Sequence, residues 1–208
     1  MARYCDAVCR LCRREGEKLF LKGAKCYGPS CPVAKRETPP GMHQWRRSKV
    51  STYGTQLREK QKLKRAYGIL ERQFRRYYHM AERQKGNTGA NLLVIMERRL
   101  DNVLTRAGFG VSRAQARQLV VHDHVSINGH RANIPSALVE VGDVIRIKAR
   151  PPVQKLVSSN IEQTKGHEPI AWIKVNPEAM EVIVERLPNR EEVSFTIREQ
   201  LIVELLSK

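Results

Sequence analysis

The sequence predicts an α+β protein, helices first and a small antiparallel sheet after them. Three observations carry that reading. Apolar residues recur with the helical period between residues 52 and 104. The period shortens to two beyond residue 124, as in a half-buried strand. Four cysteines fall in two pairs within a stretch of 31 residues that offers little apolar material for a core.

Residues 1–45 hold turn signals at Gly28-Pro29 and Pro39-Pro40-Gly41 and few long apolar runs. Residues 52–85 read as a helical run. Leu70, Phe74, Tyr77, Tyr78 and Ala81 form one stripe, with Arg72, Arg75, Arg76 and Arg83 largely off it, and Gly86-Asn87 ends the run. A second helix carries Leu92, Leu93, Ile95, Met96, Leu100, Val103 and Leu104 and stops at Gly108. Such aliphatic stripes belong to cores. Residues 112–122 predict a short helix, with Ser112 and Gln115 placed for a capping box. Val125 to Arg131 predicts a hairpin turning at Asn128-Gly129, and Val144 to Lys148 a strand after Gly142-Asp143. Pro151-Pro152 precedes a helix over 153–165. Trp172 to Val175 is a short strand, and Thr196 with Glu199 caps the apolar segment Leu201 to Leu206.

Charge is unevenly spread. The formal net charge is +17. Residues 1–90 hold 22 Lys and Arg against 7 Asp and Glu, and residues 151–208 hold 7 against 9. A cationic excess confined to one end points to a polyanion, whose counterions each neutralised phosphate releases. A merely solvated basic face would not stop so sharply near residue 90. The sequence has no apolar run of membrane-spanning length and no signal peptide core, so the chain reads as cytoplasmic with no membrane partner.

Cys9-x-x-Cys12 and Cys26-x4-Cys31 make two knuckles. Four thiolates around one ion form a closed tetrahedral site, structural rather than catalytic, that orders a segment too poor in apolar residues to fold alone. Zinc suits this set, and an iron–sulfur cluster is the alternative. The bland reading is a set of unpaired cytosolic thiols. Arg10, Arg13, Arg14, Lys22 and Lys25 surround the site, and Cys5 is spare.

Candidate RNA-contacting residues follow from cations interleaved with aromatics. They are Arg46, Arg47, Tyr53, Arg58, Lys60, Lys62, Lys64, Arg65, Arg72, Arg75 and Arg76. Tyr77 and Tyr78 lie on the apolar stripe and are read as core. Arg113 and Arg117 share a helix face beside Gln118, His122 and His124, and the hairpin adds Asn128 and Arg131. The histidines lack an accompanying cluster of cysteines or carboxylates and are read as phosphate-contacting or internally satisfied, not as metal ligands.

Arg99-Leu100-Asp101-Asn102-Val103, Ser112-Arg113, Ala116-Arg117-Gln118-Leu119-Val120, His122-x-His124-Val125, Asn128-Gly129 and Gly142-Asp143 resemble the small RNA-binding domain named for the fourth protein of the small ribosomal subunit. Cys9-x-x-Cys12-Arg13-Arg14-Glu15-Gly16, Leu57-Arg58-Glu59-Lys60-Gln61-Lys62, Tyr67-Gly68-x-x-Glu71-x-Gln73-Phe74 and Glu199-Gln200-Leu201-Ile202-Val203-Glu204 extend the resemblance across the chain to the bacterial S-four family.

That resemblance implies a domain plan. A metal-knuckle extension occupies 1–45 and a basic helical domain 46–97. The small RNA-binding domain follows over 98–165, and a C-terminal segment over 166–208 packs on the helical domain. It also implies a structural role without catalysis: binding the 5′ domain of small-subunit ribosomal RNA early in assembly, as a single copy, beside the ribosomal proteins S-five and S-three. The site lies near the path by which messenger RNA enters, and the family influences decoding accuracy. Acids in the C-terminal part, Glu191, Glu192 and Glu204 foremost, suit the basic neighbour S-five. Two rivals share the RNA-binding module. Pseudouridine synthases have a motif containing Arg-Leu-Asp, matched at Arg99-Leu100-Asp101, but only 58 residues follow position 150, too few for their catalytic domain. A free RNA-binding regulator would not account for the cysteines or the basic helices.

Overall fold

A computed structural model describes residues 3–36, 38–42, 51–164, 170–193 and 195–207. The chain forms two compact units. One joins residues 1–92 to 195–208, and the other comprises residues 93–194.

The first unit begins with three short helices, α1 (Cys9–Glu15), α2 (Ala24–Tyr27) and α3 (Pro32–Lys35). Two longer ones follow, α4 (Thr52–Ala66) and α5 (Glu71–Glu82). The run expected over 52–85 is thus two helices. Gly68 adopts φ +63 just beyond α4, a left-handed conformation that breaks the run and lets the chain restart at Glu71. Phe74, Tyr77, Tyr78 and Ala81 bury one face of α5 as the stripe predicts, whereas Leu70, also on that stripe, is the exposed N-cap. The boundary between the units falls within α6 (Thr88–Glu97).

The second unit starts with α7 (Leu100–Arg106) and α8 (Arg113–Val121). The helix expected from Leu92 onward is broken at Arg98-Arg99. There Val139 N–H donates to the Arg98 carbonyl and Leu100 N–H to the Ala137 carbonyl, pairings that a continuous helix would forbid. Ser112 caps α8 by accepting from Gln115 N–H. The Gln115 side chain accepts from Val111 N–H, one residue before the position a capping box requires.

Three strands follow, β1 (Val125–Ile127), β2 (His130–Ala132) and β3 (Val144–Ile147), then α9 (Pro151–Thr164), β4 (Ile173–Asn176) and β5 (Glu181–Val184). Asn128 and Gly129 have φ +50 and +81, the tight primed turn expected between β1 and β2. The sheet is antiparallel in the order β2-β1-β3-β5-β4. Residues 166–208 were expected to pack on the helical domain, and over residues 173–184 the structure differs. Ile145 of β3 pairs with Val182 of β5, so the β4–β5 hairpin extends the sheet of the second unit. The reason is local: Val182 and Val184 alternate with half-buried neighbours and complete the free edge of β3. Trp172, Val103, Phe109, Val120, Val125 and Ile145 lie in one apolar core beneath that sheet.

Residues 195–207 return to the first unit and end in α10 (Glu199–Leu206), which packs on α4. Its first turn has no side-chain cap, so Thr196 does not play the expected part. Its carbonyl instead accepts from Lys62. Phe195 meets Tyr67 edge to face at 5.9 Å.

Candidate functional site

The four knuckle cysteines converge. Cys9 and Cys12 sit one turn apart on α1, Cys26 lies on α2, and Cys31 is the N-cap of α3. Together they line one small pocket with Val8, Leu21 and Pro32. Cys12, Cys26 and Cys31 are buried and Cys9 is half-buried, whereas Cys5 is exposed and outside the pocket. Burial pushes the Cys12 thiol up, and the other three cysteines push it further, against a backbone hydrogen bond from Leu19. Burial raises Cys26 likewise, although Lys22 N–H donates to its sulfur at 3.3 Å. Among the described residues no three Cys, His, Asp or Glu side chains are grouped tightly enough to hold an ion as they stand. The donor set nevertheless fits a soft divalent ion: four sulfurs on one pocket, three of them shielded, with backbone N–H groups aimed at two.

The basic cluster on α4 is paired within its own unit. Lys60 and Lys62 are only 7% and 6% exposed. Lys60 reaches Glu71 at 2.7 Å, and Lys64 reaches the same carboxylate at 3.1 Å. Lys62 lies 2.6 Å from Glu17 and donates to the Thr196 carbonyl at 2.7 Å. Arg58 and Arg65 both pair with Glu15, whose carboxylate is buried. Burial pushes the Glu15 carboxyl up, and the two guanidiniums pull it back only in part. All five cations are therefore engaged in ion pairs within the first unit, Lys60 and Lys62 buried and Arg58, Lys64 and Arg65 half-buried. Acid is scarce in this part of the chain, and Glu15 and Glu71 each gather more than one cation.

The outward cations of the first unit lie elsewhere. Arg72 and Arg76 are exposed on α5 one turn apart, with Arg83 beyond them. Arg75 is exposed and touches Glu71 at 3.4 Å. On the knuckle, Arg10, Arg14, Lys22 and Lys25 are exposed, joined by Lys18, Lys35 and Arg36, which the sequence reading passed over. Arg13 is turned inward and donates to the Thr38 carbonyl. Tyr53 is 63% exposed at the start of α4, available for stacking. Arg46 and Arg47 lie outside the described residues.

In the second unit, Gln118 on α8 and His122 at its C-cap are exposed. Arg113 and Arg117 are half-buried and engaged. Arg113 Nε donates to the Asn102 side chain at 2.9 Å, and Arg117 lies 3.5 Å from Asp101. His124 is partly covered, and burial, with Arg150 nearby, pushes its imidazole down, favouring the neutral form. Asn128 is spent on the turn: its amide donates to Asp143 and accepts from Val144 N–H. Arg131 is exposed and 3.0 Å from Asp123, whose other cation is Lys148 at 2.8 Å. Lys148 by its hydrogen bond, and Arg131 and Lys148 by their charges, hold the Asp123 carboxyl below its ordinary value. Arg146, on the face of β3 opposite Ile145 and Ile147, and Lys148, just beyond the strand, were legible from that alternation and were missed.

The Arg99-Leu100-Asp101 motif has no catalytic setting. Arg99 and Asp101 are 1% and 3% exposed and bind each other through two hydrogen bonds, at 3.0 and 2.5 Å. The acids at the C-terminal end are differently placed. Glu192 bonds Arg186 and closes a capping box with Asn189, and hydrogen bonding from Arg186 holds its carboxyl down. Glu204 accepts from Gln56 at 2.9 Å, and Glu191 is exposed.

Comparison with known proteins covers the same ground. Residues 3–97 match the ribosomal protein S4/S9 N-terminal domain, and residues 98–145 match the S4 domain. The chain is 53% identical over 208 residues to the small ribosomal subunit protein uS4A of Symbiobacterium thermophilum. It is 54% identical over 209 residues to the uS4 protein of Syntrophomonas wolfei, with all of both chains covered in each case. The uS4 protein of Acetivibrio thermocellus is 54% identical, again over the full length of both.

Proposed function

The chain belongs to the uS4 family of small ribosomal subunit proteins, and on that premise we propose that it is a primary binder of the 5′ domain of small-subunit ribosomal RNA and nucleates assembly there. The observation that supports this reading is the S4 domain at residues 98–145, an RNA-binding module that here presents Gln118, His122 and Arg131 outward. The exposed row Arg72, Arg76 and Arg83 and the knuckle cations supply phosphate contacts from the first unit. The family is one of structural ribosomal proteins, not enzymes, and no helix among the described residues is long and apolar enough to cross a membrane.

Cys9, Cys12, Cys26 and Cys31 would hold zinc, with an iron–sulfur cluster as the rival occupant. The group would supply cross-linking of three short helices that share little apolar core. Contact with S-five through the exposed Glu191 would tie the protein to decoding accuracy. S-three and messenger RNA near its path of entry would be its other neighbours.

The test is binding of the full chain to a 5′-domain RNA fragment across a salt series. Tight, salt-sensitive binding that an unrelated structured RNA does not match is expected. Equal affinity for both RNAs would overturn the assignment.

A further inference from the structure

Four side chains of the second unit form a directed chain that ends on α8. Arg106 donates to both oxygens of Glu97, each at 3.1 Å. Glu97 is fully buried, and its Oε2 also accepts from Asn102 Nδ2 at 2.7 Å. The second Asn102 Nδ2 hydrogen goes to the Glu97 carbonyl at 3.0 Å. With both amide hydrogens claimed by acceptors on Glu97, Asn102 can turn only its oxygen toward α8. That oxygen accepts from Arg113 Nε.

We infer that Asn102, oriented by Glu97, is the positioning residue for Arg113, fixing the plane of its guanidinium on the RNA-facing helix; this rests on the proposed rRNA-binding function. A buried amide with every hydrogen bond satisfied is rigid. An arginine held through Nε keeps its planar fork in one orientation, which a flexible ammonium cannot reproduce. The sequence spacing serves the geometry. Asn102 lies on α7 next to Asp101, which stands 3.5 Å from Arg117, so adjacent residues of α7 hold both arginines of α8. The fully buried Asn102 is otherwise hard to explain, because an apolar side chain there would avoid the desolvation of an amide.

The experiment compares the full-length wild type with Asn102→Leu, Arg113→Lys and the double variant. Each is assayed against the 5′-domain RNA fragment and against an unrelated structured RNA, with thermal unfolding measured beside them. Arg113→Lys leaves the Arg106–Glu97–Asn102 core in place, so it separates orientation from folding. Both single variants are expected to lose about tenfold in affinity for the 5′-domain fragment, the scale of one hydrogen bond to a charged group. Their affinity for the unrelated RNA and the slope of binding against salt should hold, and the double variant should lose no more than either single one. Additive losses, or an Asn102→Leu variant whose weakening is the same for both RNAs, would make Asn102 merely structural and overturn the inference. Wild-type binding to the fragment with no loss in Arg113→Lys would do the same. Failure of the wild type to prefer the fragment would instead sink the proposed function itself.

Discussion

Arg58 donates to the buried carboxylate of Glu15 at 3.3 Å, across 43 residues of sequence, and Arg65, about two helical turns further along α4, shares that carboxylate. Glu15 ends the helix that carries Cys9 and Cys12. Docking of the knuckle onto α4 therefore concentrates two of its ion pairs on one acid, beside the separate pair of Lys62 with Glu17. Replacing Glu15 by Gln leaves two partly covered guanidiniums facing an amide, with an expected cost on the order of 2 kcal/mol. Urea unfolding of the Glu15→Gln variant measures this, and an unchanged midpoint would show the pairing to be idle.

Substituting Ser for any one of Cys9, Cys12, Cys26 or Cys31 should lower bound zinc and loosen the knuckle, whereas Cys5→Ser should leave the metal content intact. Mass spectrometry of the native protein reads the stoichiometry. Because burial pushes the Cys12 and Cys26 thiols up, an ion must displace protons to bind, and zinc affinity should rise with pH. A chelator competition run at two pH values gives the sign.

Glu71 should make the first unit acid-sensitive. Burial alone would push its carboxyl up, but hydrogen bonds and charge from Lys60 and Lys64 outweigh that and hold it at about 2. A carboxyl held below its unfolded value adds stability above the unfolded pKa, roughly 4.3, and loses it as pH falls toward 2. Glu71→Gln should flatten the stability profile in that window. Its cost at neutral pH should stay at about 1 kcal/mol, since the carboxylate is 36% exposed and solvent screens it.

Inward and outward cations should separate cleanly in binding assays. Arg72→Gln and Arg76→Gln should each reduce the slope of rRNA affinity against salt by about one ion while leaving unfolding unchanged. Lys60→Ala and Lys62→Ala should lower stability instead, because each buries a paired ammonium. Equal effects of both classes on the salt slope would mean that α4 faces the RNA.

Glu191→Lys is expected to raise miscoding with rRNA affinity intact, if the exposed acid meets a basic neighbour. Glu192 is unsuited to the same test, because its carboxylate is already bound to Arg186 and to the Asn189 backbone. Miscoding in a reporter strain and fragment binding in vitro are read separately. Weakened RNA binding with normal accuracy would assign this surface to RNA.

Periodicity alone located the buried face of α5, α8 with its Ser112 cap, the Asn128-Gly129 hairpin and β3, because each rests on contacts a few residues apart in the chain. The cysteine pocket was legible from spacing. What escaped was set by distant partners. Nothing near Lys62 in the sequence announces Glu17 or the Thr196 carbonyl, so its charge reads as surface until the fold supplies both. Nothing near Arg113 announces Asn102 as its acceptor. The hairpin of β4 and β5 was half seen, since Glu181 to Val184 shows its role only once β3 offers an edge.

The first unit is closed by residues 195–208, while its other residues precede position 93. During synthesis the surface of α4 that receives α10 must therefore wait, uncovered, while about a hundred intervening residues are polymerised at roughly 5–20 per second. A message cut short within that last stretch would release a chain whose sheet unit is whole and whose helical unit lacks a wall. Such a product would keep its S4 domain, yet it would bare the apolar positions of α4 that α10 normally covers.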